Sequence, residues 1–126
     1  MSYQWDNKKP TAQMLGRWQP FHEGHYALFE EIIKKTGQVC IQVRDVQGVD
    51  DNPFDFETVK KNIEKRLNPK YENKFKVMLV PNITNISYGR GVGYNIEDRL
   101  NPEFQGQFKI MMVPNITNIC YGRGVG

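Results

Sequence analysis

The apolar positions of this chain fall into runs of two different periods. Residues 11–16, Thr-Ala-Gln-Met-Leu-Gly, form a short apolar run closed by glycine, which predicts a buried strand. From Gly24 to Thr36 the apolar residues Tyr26, Leu28, Phe29, Ile32 and Ile33 recur at helical spacing, and Gly37 follows as a C-cap. Residues 38–44, Gln-Val-Cys-Ile-Gln-Val-Arg, are rich in β-branched side chains and predict a second strand. A polar loop over 45–53 leads to Asp55, an N-cap for a helix with Phe56, Val59, Ile63 and Leu67 on one face. Asn68-Pro69 is expected to stop that helix near Leu67, and residues 75–80 predict a third strand closed by Pro81. The polar residues 1–10 are expected to fray.

Strands and helices that alternate in this order imply parallel pairing with right-handed crossovers. The expected class is therefore α/β, a Rossmann-like open parallel sheet with flanking helices. In such sheets ligands sit at the carboxyl ends of the strands, where the strand order reverses. The loop after the first strand, carrying residues 17–25, is the natural place for a site.

The rest of the chain repeats itself. Residues 63–93 and 96–126 align without gaps at an offset of 33, and 22 of the 31 aligned positions are identical. Val80-Pro81-Asn82-Ile83-Thr84-Asn85-Ile86 recurs as Val113-Pro114-Asn115-Ile116-Thr117-Asn118-Ile119. Two copies do not make a solenoid. The unit also starts inside a helix and ends in a glycine-rich turn. A tandem duplication in the coding sequence, or an error in its assembly, accounts for this better than a built array. The expected organisation is a terminal segment 1–10, a core over 11–95 and a duplicated copy over 96–126. Both 75–80 and 108–113 read as strands for one slot. The first copy, preceded by a complete helix, is expected to take the slot beside 38–44. The second is expected to sit at an edge, pair with another chain or stay poorly ordered.

Composition narrows the function classes. With 39% hydrophobic and 25% charged residues, the chain is globular rather than disordered. A net charge of +3 suits phosphate-bearing ligands, but it is too small and too scattered for a nucleic-acid surface. No run of 18 apolar residues exists, so no membrane partner is expected. The polar start resembles no signal peptide, so Cys40 and Cys120 are expected to be free thiols in a reducing, cytoplasmic compartment. By the same token the Asn-Ile-Thr and Asn-Ile-Ser triplets are not expected to carry glycans.

The chemistry concentrates in Gly16-Arg17-Trp18-Gln19-Pro20-Phe21-His22-Glu23-Gly24-His25. A strand ending at Gly16 and a helix starting near Gly24 place unpaired N–H groups and partial positive charge at the turn, a setting for phosphate. Gly24 lets a phosphate approach the backbone. His22 on the turn and His25 one step inside can aim both imidazoles at one volume. Arg17 is a planar multi-donor cation suited to phosphate oxygens, and Pro20 stiffens the turn.

This run resembles the signature of the cytidylyltransferase-like (HxGH) nucleotidyltransferase superfamily. The likeness is strongest to the nicotinamide-mononucleotide adenylyltransferase branch, whose run reads Gly-Arg-Phe-Gln-Pro-Phe-His-x-Gly-His. Asn52-Pro53-Phe54 and the acidic helix start after it resemble that branch's second loop. The likeness spans about residues 11–95. It implies an enzyme in which a small phosphorylated acceptor attacks the α-phosphorus of ATP or CTP in line and pyrophosphate leaves. Adenylyl transfer is favoured over cytidylyl transfer by the Gln-Pro-Phe-His context. His22, His25 and Arg17 would then be catalytic, and Gly16, Gln19, Phe21, Gly24 and Arg44 would bind the nucleotide. Mg²⁺ would be held through the nucleotide phosphates, with no protein ligands.

The family's late Ile-Ser-x-Thr-x-x-Arg-like segment, which grips the β- and γ-phosphates, is not found here. Where it is expected, the chain enters its second copy. That raises a second reading, a truncated and catalytically poor nucleotide-binding protein. A third is an interaction protein that uses the repeated edge strand, with self-association as its signature. Gly89, Gly91 and Gly93 read better as a turn than as a phosphate nest. Asp45, Asp50 and Asp51 read better as a solvated loop than as a Mg²⁺ site.

Overall fold

The computed structural model describes residues 3–46, 53–86, 100 and 103–121. β1 (Thr11–Gly16) leads through the motif loop to α1 (Glu23–Thr36), then β2 (Val39–Arg44), α2 (Phe56–Tyr71), β3 (Phe75–Val80) and β4 (Ile116–Tyr121). Gly37 closes α1 at φ 87°, the left-handed conformation that favours glycine, and donates its N–H to the Ile33 carbonyl. Asp55 caps α2 by accepting from the Thr58 N–H at 2.8 Å.

The strands form a parallel sheet in the order β3-β2-β1-β4. This is the α/β, Rossmann-like arrangement that the alternating pattern predicts. β2 lies between two neighbours and is buried almost throughout. One face of the sheet presents Ala12, Met14, Val39, Ile41 and Val43 to Phe29, Ile32 and Ile33 of α1 and to Val59, Ile63 and Leu67 of α2. Each of the large side chains in this layer contributes roughly 1.5–3 kcal/mol by leaving water. At the amino end of the sheet, Tyr3 donates to Gln38 Oε1 at 2.8 Å and Gln38 Nε2 donates to the Asp6 carbonyl at 2.8 Å. Those bonds hold Tyr3 and Asp6 against the residue that leads into β2.

Two expectations need correction. α2 does not stop at Asn68-Pro69; it runs on to Tyr71 with Pro69 inside it. A proline this late removes one ladder N–H from the final turn alone. Contacts with α1 hold that turn: the Tyr71 hydroxyl donates to Glu30 at 2.7 Å, Lys70 pairs with Glu30 at 3.2 Å, and the Tyr71 ring lies edge-on to Phe29. Asn73, at φ 68°, then turns the chain into β3.

The second correction concerns the repeat. β3 takes the slot beside β2, as expected. Residues 108–113, however, form no strand, and Ile110 to Val113 are exposed. The strand from the second half of the chain is β4, further along the repeat, paired with the other side of β1. Its equivalent in the first copy begins only two residues after β3. A parallel neighbour needs a crossover of a dozen or more residues, so that earlier stretch cannot return to the amino end of β1.

The two copies nevertheless share local geometry. Ile83 N–H donates to the Pro81 carbonyl at 2.7 Å, and Ile116 N–H donates to the Pro114 carbonyl at 2.7 Å. Thr84 Oγ1 bonds Asn85 Oδ1 at 3.2 Å, and Thr117 Oγ1 bonds Asn118 Oδ1 at 3.1 Å. What differs is the neighbour. In the second copy, Asn115 is anchored by Thr11 N–H on its carbonyl, by the Asn7 carbonyl on its N–H and by the Lys8 carbonyl on its side chain. The expected glycine turn at 89–93 lies outside the described residues, as do Asp50 and Asp51.

Candidate functional site

Strand order reverses at β1, which has β2 and then β3 on one side and β4 on the other. The crevice of an open sheet opens at the carboxyl ends of the strands at such a point. The chain leaving β1 there is the Gly16–His25 run.

The loop is built around Trp18. Its φ is 54°, its side chain is only 2% exposed, and its indole N–H donates to the Gln42 carbonyl at 3.1 Å. The indole folds back over Gly16, where an added Cβ would meet ring carbons at 2.8 Å. Gly16 is therefore required by this close approach, whatever it does toward a ligand. Gln19 braces the loop from the other side. Its Nε2 donates to the Phe54 carbonyl at 2.8 Å and its Oε1 accepts from the Phe54 N–H at 2.9 Å. That pair of bonds ties the motif loop to the segment that enters α2, and it engages both ends of the Gln19 amide.

At the start of α1 the two histidines cap the helix reciprocally. His22 is the N-cap, and its Nδ1 accepts from the Gly24 N–H at 3.0 Å. His25 Nδ1 accepts from the His22 N–H at 3.2 Å. With both Nδ1 atoms acting as acceptors, each ring carries its N–H on Nε2. The rings stack with centroids 3.7 Å apart and planes 16° apart. Both imidazoles thus sit together at the positive end of α1. His25 is buried, with Trp18 edge-on at 4.7 Å and Phe21 tilted at 5.7 Å. Burial above all, and then the neighbouring His22, push its pKa down to about 4, against the opposing hydrogen bond to the Pro20 carbonyl. At neutral pH His25 is an uncharged N–H donor, which allows the close stack.

The structure brings His22, His25, Phe21 and Gly24 together on this turn. Gly24 is exposed, but its N–H is given to His22. Phe21 is half-buried against Trp18 and His25. Arg17 is exposed directly after β1. Arg44, at the end of β2, donates from Nε at 3.0 Å and from Nη2 at 2.7 Å to Asn82 Oδ1, beyond the end of β3. Arg66 was not foreseen. From α2 it makes two bonds of 2.7 Å to Glu23, in the first turn of α1, and lies 3.6 Å over the Tyr26 ring. Its hydrogen bonds hold the Glu23 carboxyl below the usual range. Sequence spacing carries no sign of this contact, because it depends on how the two helices cross.

Among the described residues, no three His, Cys, Asp or Glu side chains gather into a metal-binding group. A groove between α2 and β3, lined by Lys60, Glu64, Asn68, Phe75 and Val77 among others, touches none of the motif residues. Cys40 and Cys120 are both free thiols, and burial pushes Cys40 up to about 11. No helix among the described residues is long and apolar enough to cross a membrane.

The fold and this turn define an α/β protein with a paired-histidine helix start at the switch point of a parallel sheet. No family model matches the chain. Over 45 residues it is 40% identical to a nicotinamide-nucleotide adenylyltransferase of Methanococcus aeolicus; the match covers 34% of this chain and 26% of that protein. The chain therefore matches about a quarter of that relative's length.

Proposed function

We propose that this chain binds a nucleoside triphosphate at the start of α1 and carries the core of a nucleotidyltransferase site, with adenylyl transfer favoured and cytidylyl transfer second. The observation that carries the reading is the pair of stacked imidazoles whose Nδ1 atoms are committed to the helix cap. The cap thereby holds both imidazoles side by side at a helix N-terminus, a setting suited to phosphate oxygens that gain charge as pyrophosphate leaves. Arg17 and Arg44 would add cationic donors at the carboxyl ends of β1 and β2, and Mg²⁺ would arrive on the phosphates. The partial likeness to a nicotinamide-nucleotide adenylyltransferase makes nicotinamide mononucleotide the first acceptor to try. Without an Ile-Ser-x-Thr-like segment in these residues, nucleotide binding with slow turnover is the expected behaviour. That behaviour is also what the second reading, a binding protein of poor activity, requires.

The test separates the cap from the donor. Asparagine can accept the capping bond, but its shorter side chain cannot place an N–H where the imidazole Nε2 lies. In calorimetric titrations with ATP and CTP, His22→Asn and His25→Asn should weaken binding tenfold or more, about 1.4 kcal/mol, while the unfolding stability of His22→Asn, at the N-cap, changes by about 1 kcal/mol or less. Equal ATP affinity in both variants and the parent would sink the proposal. Pyrophosphate release with nicotinamide mononucleotide then separates a slow enzyme from a binding protein.

A further inference from the structure

We infer that this chain self-associates by laying residues 108–113 of one molecule along the outer edge of β3 in a second copy. The segment Phe-Lys-Ile-Met-Met-Val matches β3, Phe-Lys-Val-Met-Leu-Val, at four of six positions. It therefore carries the pattern of a strand that this sheet already accepts. In the single chain it has no such place. Ile110 is 54% exposed and Met112 86%, and Met111, Val113 and Phe104 are exposed beside them. A run of this kind, high in β-propensity and without proline, is a strand in search of a ladder.

The acceptor is equally defined. Among the described residues β3 ends the sheet, bonded to β2 on one side only. The Lys74 and Val80 carbonyls accept from β2 and from Asp45 beyond it. By alternation along the strand, the peptide groups of Phe75, Val77 and Leu79 face the open side. Leu79 is itself exposed, and the groove between α2 and β3 runs along this edge, with Phe75 and Val77 in its wall. An added strand would find backbone partners and an apolar lining together.

The partner must be another molecule. Residue 113 lies three residues before Ile116, the start of β4, and that stretch spans about 10 Å at full extension. β4 is on the far edge of the sheet, and the position beyond β3 is four strand spacings away, roughly 19 Å. The chain cannot close this contact on itself while β4 stays in place. Two molecules can exchange segments reciprocally in a closed dimer, or pass them on in an open chain.

Sedimentation of the full chain against concentration tests this. The parent should show an average mass that rises with concentration above the 14.7 kDa monomer. A variant with Ile110→Lys and Met112→Lys alters only exposed, non-strand positions and should sediment as a monomer at every concentration. Leu79→Pro removes an outward N–H without touching the β2 ladder and should do the same, with circular dichroism reporting that the fold persists. If Leu79→Pro does not fold, the paired lysine variant alone decides. A parent that stays monomeric throughout, or a lysine variant that associates like the parent, overturns the inference.

Discussion

At the residue scale, Gly16 is fixed by what stands over it. A methyl group there would sit 2.8 Å from the Trp18 ring, and the ring cannot retreat without losing its bond to the Gln42 carbonyl. Gly16→Ala should therefore cost roughly 1–3 kcal/mol in a urea titration, the range for overpacking a tight core, and should shift Trp18 fluorescence to the red. An unchanged midpoint would mean that the indole moves freely. His25 gives a pH signature. Its imidazole titrates near 6.5 in an unfolded chain and near 4 in the folded one. Between those values the unfolded chain holds a proton that the native state lacks, so stability falls as pH falls. The His25 contribution is fully present above pH 6.5 and is lost by about pH 4. Melting temperature should drop between pH 7 and pH 5, and His25→Asn should flatten that limb while leaving the steeper loss below the carboxylate range. Identical acid profiles for the two proteins would contradict the assignment. The histidine pair was visible in the sequence as a motif. That each ring caps the helix, and that Gln19 and Gly16 serve the loop's own architecture, was not, because those roles depend on Trp18 taking a left-handed backbone conformation.

At the element scale, the legible pieces were those with a period and a cap. α1 announced itself through Tyr26, Phe29, Ile32 and Ile33 with Gly37 behind them, and β2 through its β-branched run. The end of α2 was misjudged because a local rule about proline was set against contacts that only packing creates. Pro69→Ala restores a backbone donor in the last turn but loosens the unfolded chain. The net gain should be about 1 kcal/mol, read as a higher unfolding midpoint. Tyr71→Phe should lose roughly 0.5–1.5 kcal/mol with the bond to Glu30. If Tyr71→Phe were neutral and Pro69→Ala destabilising, the tertiary account of this turn would fail. β4 was illegible for a different reason. Its sequence, Ile-Thr-Asn-Ile-Cys-Tyr, carries an asparagine, and a half-exposed edge strand imposes little alternation.

At the scale of the whole molecule, the parallel sheet followed from element order, but the strand order did not. The switch point depends on which stretch reaches the far side of β1, and two near-identical candidates competed for it. Chain length between β3 and β4 decided the matter. Protection should then grade across the sheet. In dilute solution, hydrogen exchange should be slowest in β2 and β1, faster in β3 and β4, and fastest in 108–113. Strong protection of 108–113 together with weak protection of 75–80 would reverse the assignment of the third slot.

The shared heptapeptide turns the protein into its own reference compound. Val-Pro-Asn-Ile-Thr-Asn-Ile occurs twice with the same Pro-to-Ile turn and the same Thr–Asn side-chain bond, once beside β1 and once away from it. Ile83→Ala and Ile116→Ala delete the same atoms from the same local sequence within one molecule. Intrinsic propensity and unfolded-state effects largely cancel in the difference between the two measurements. What remains is the worth of a neighbouring strand, measured without a host–guest series, and it should appear as a larger loss for Ile116→Ala.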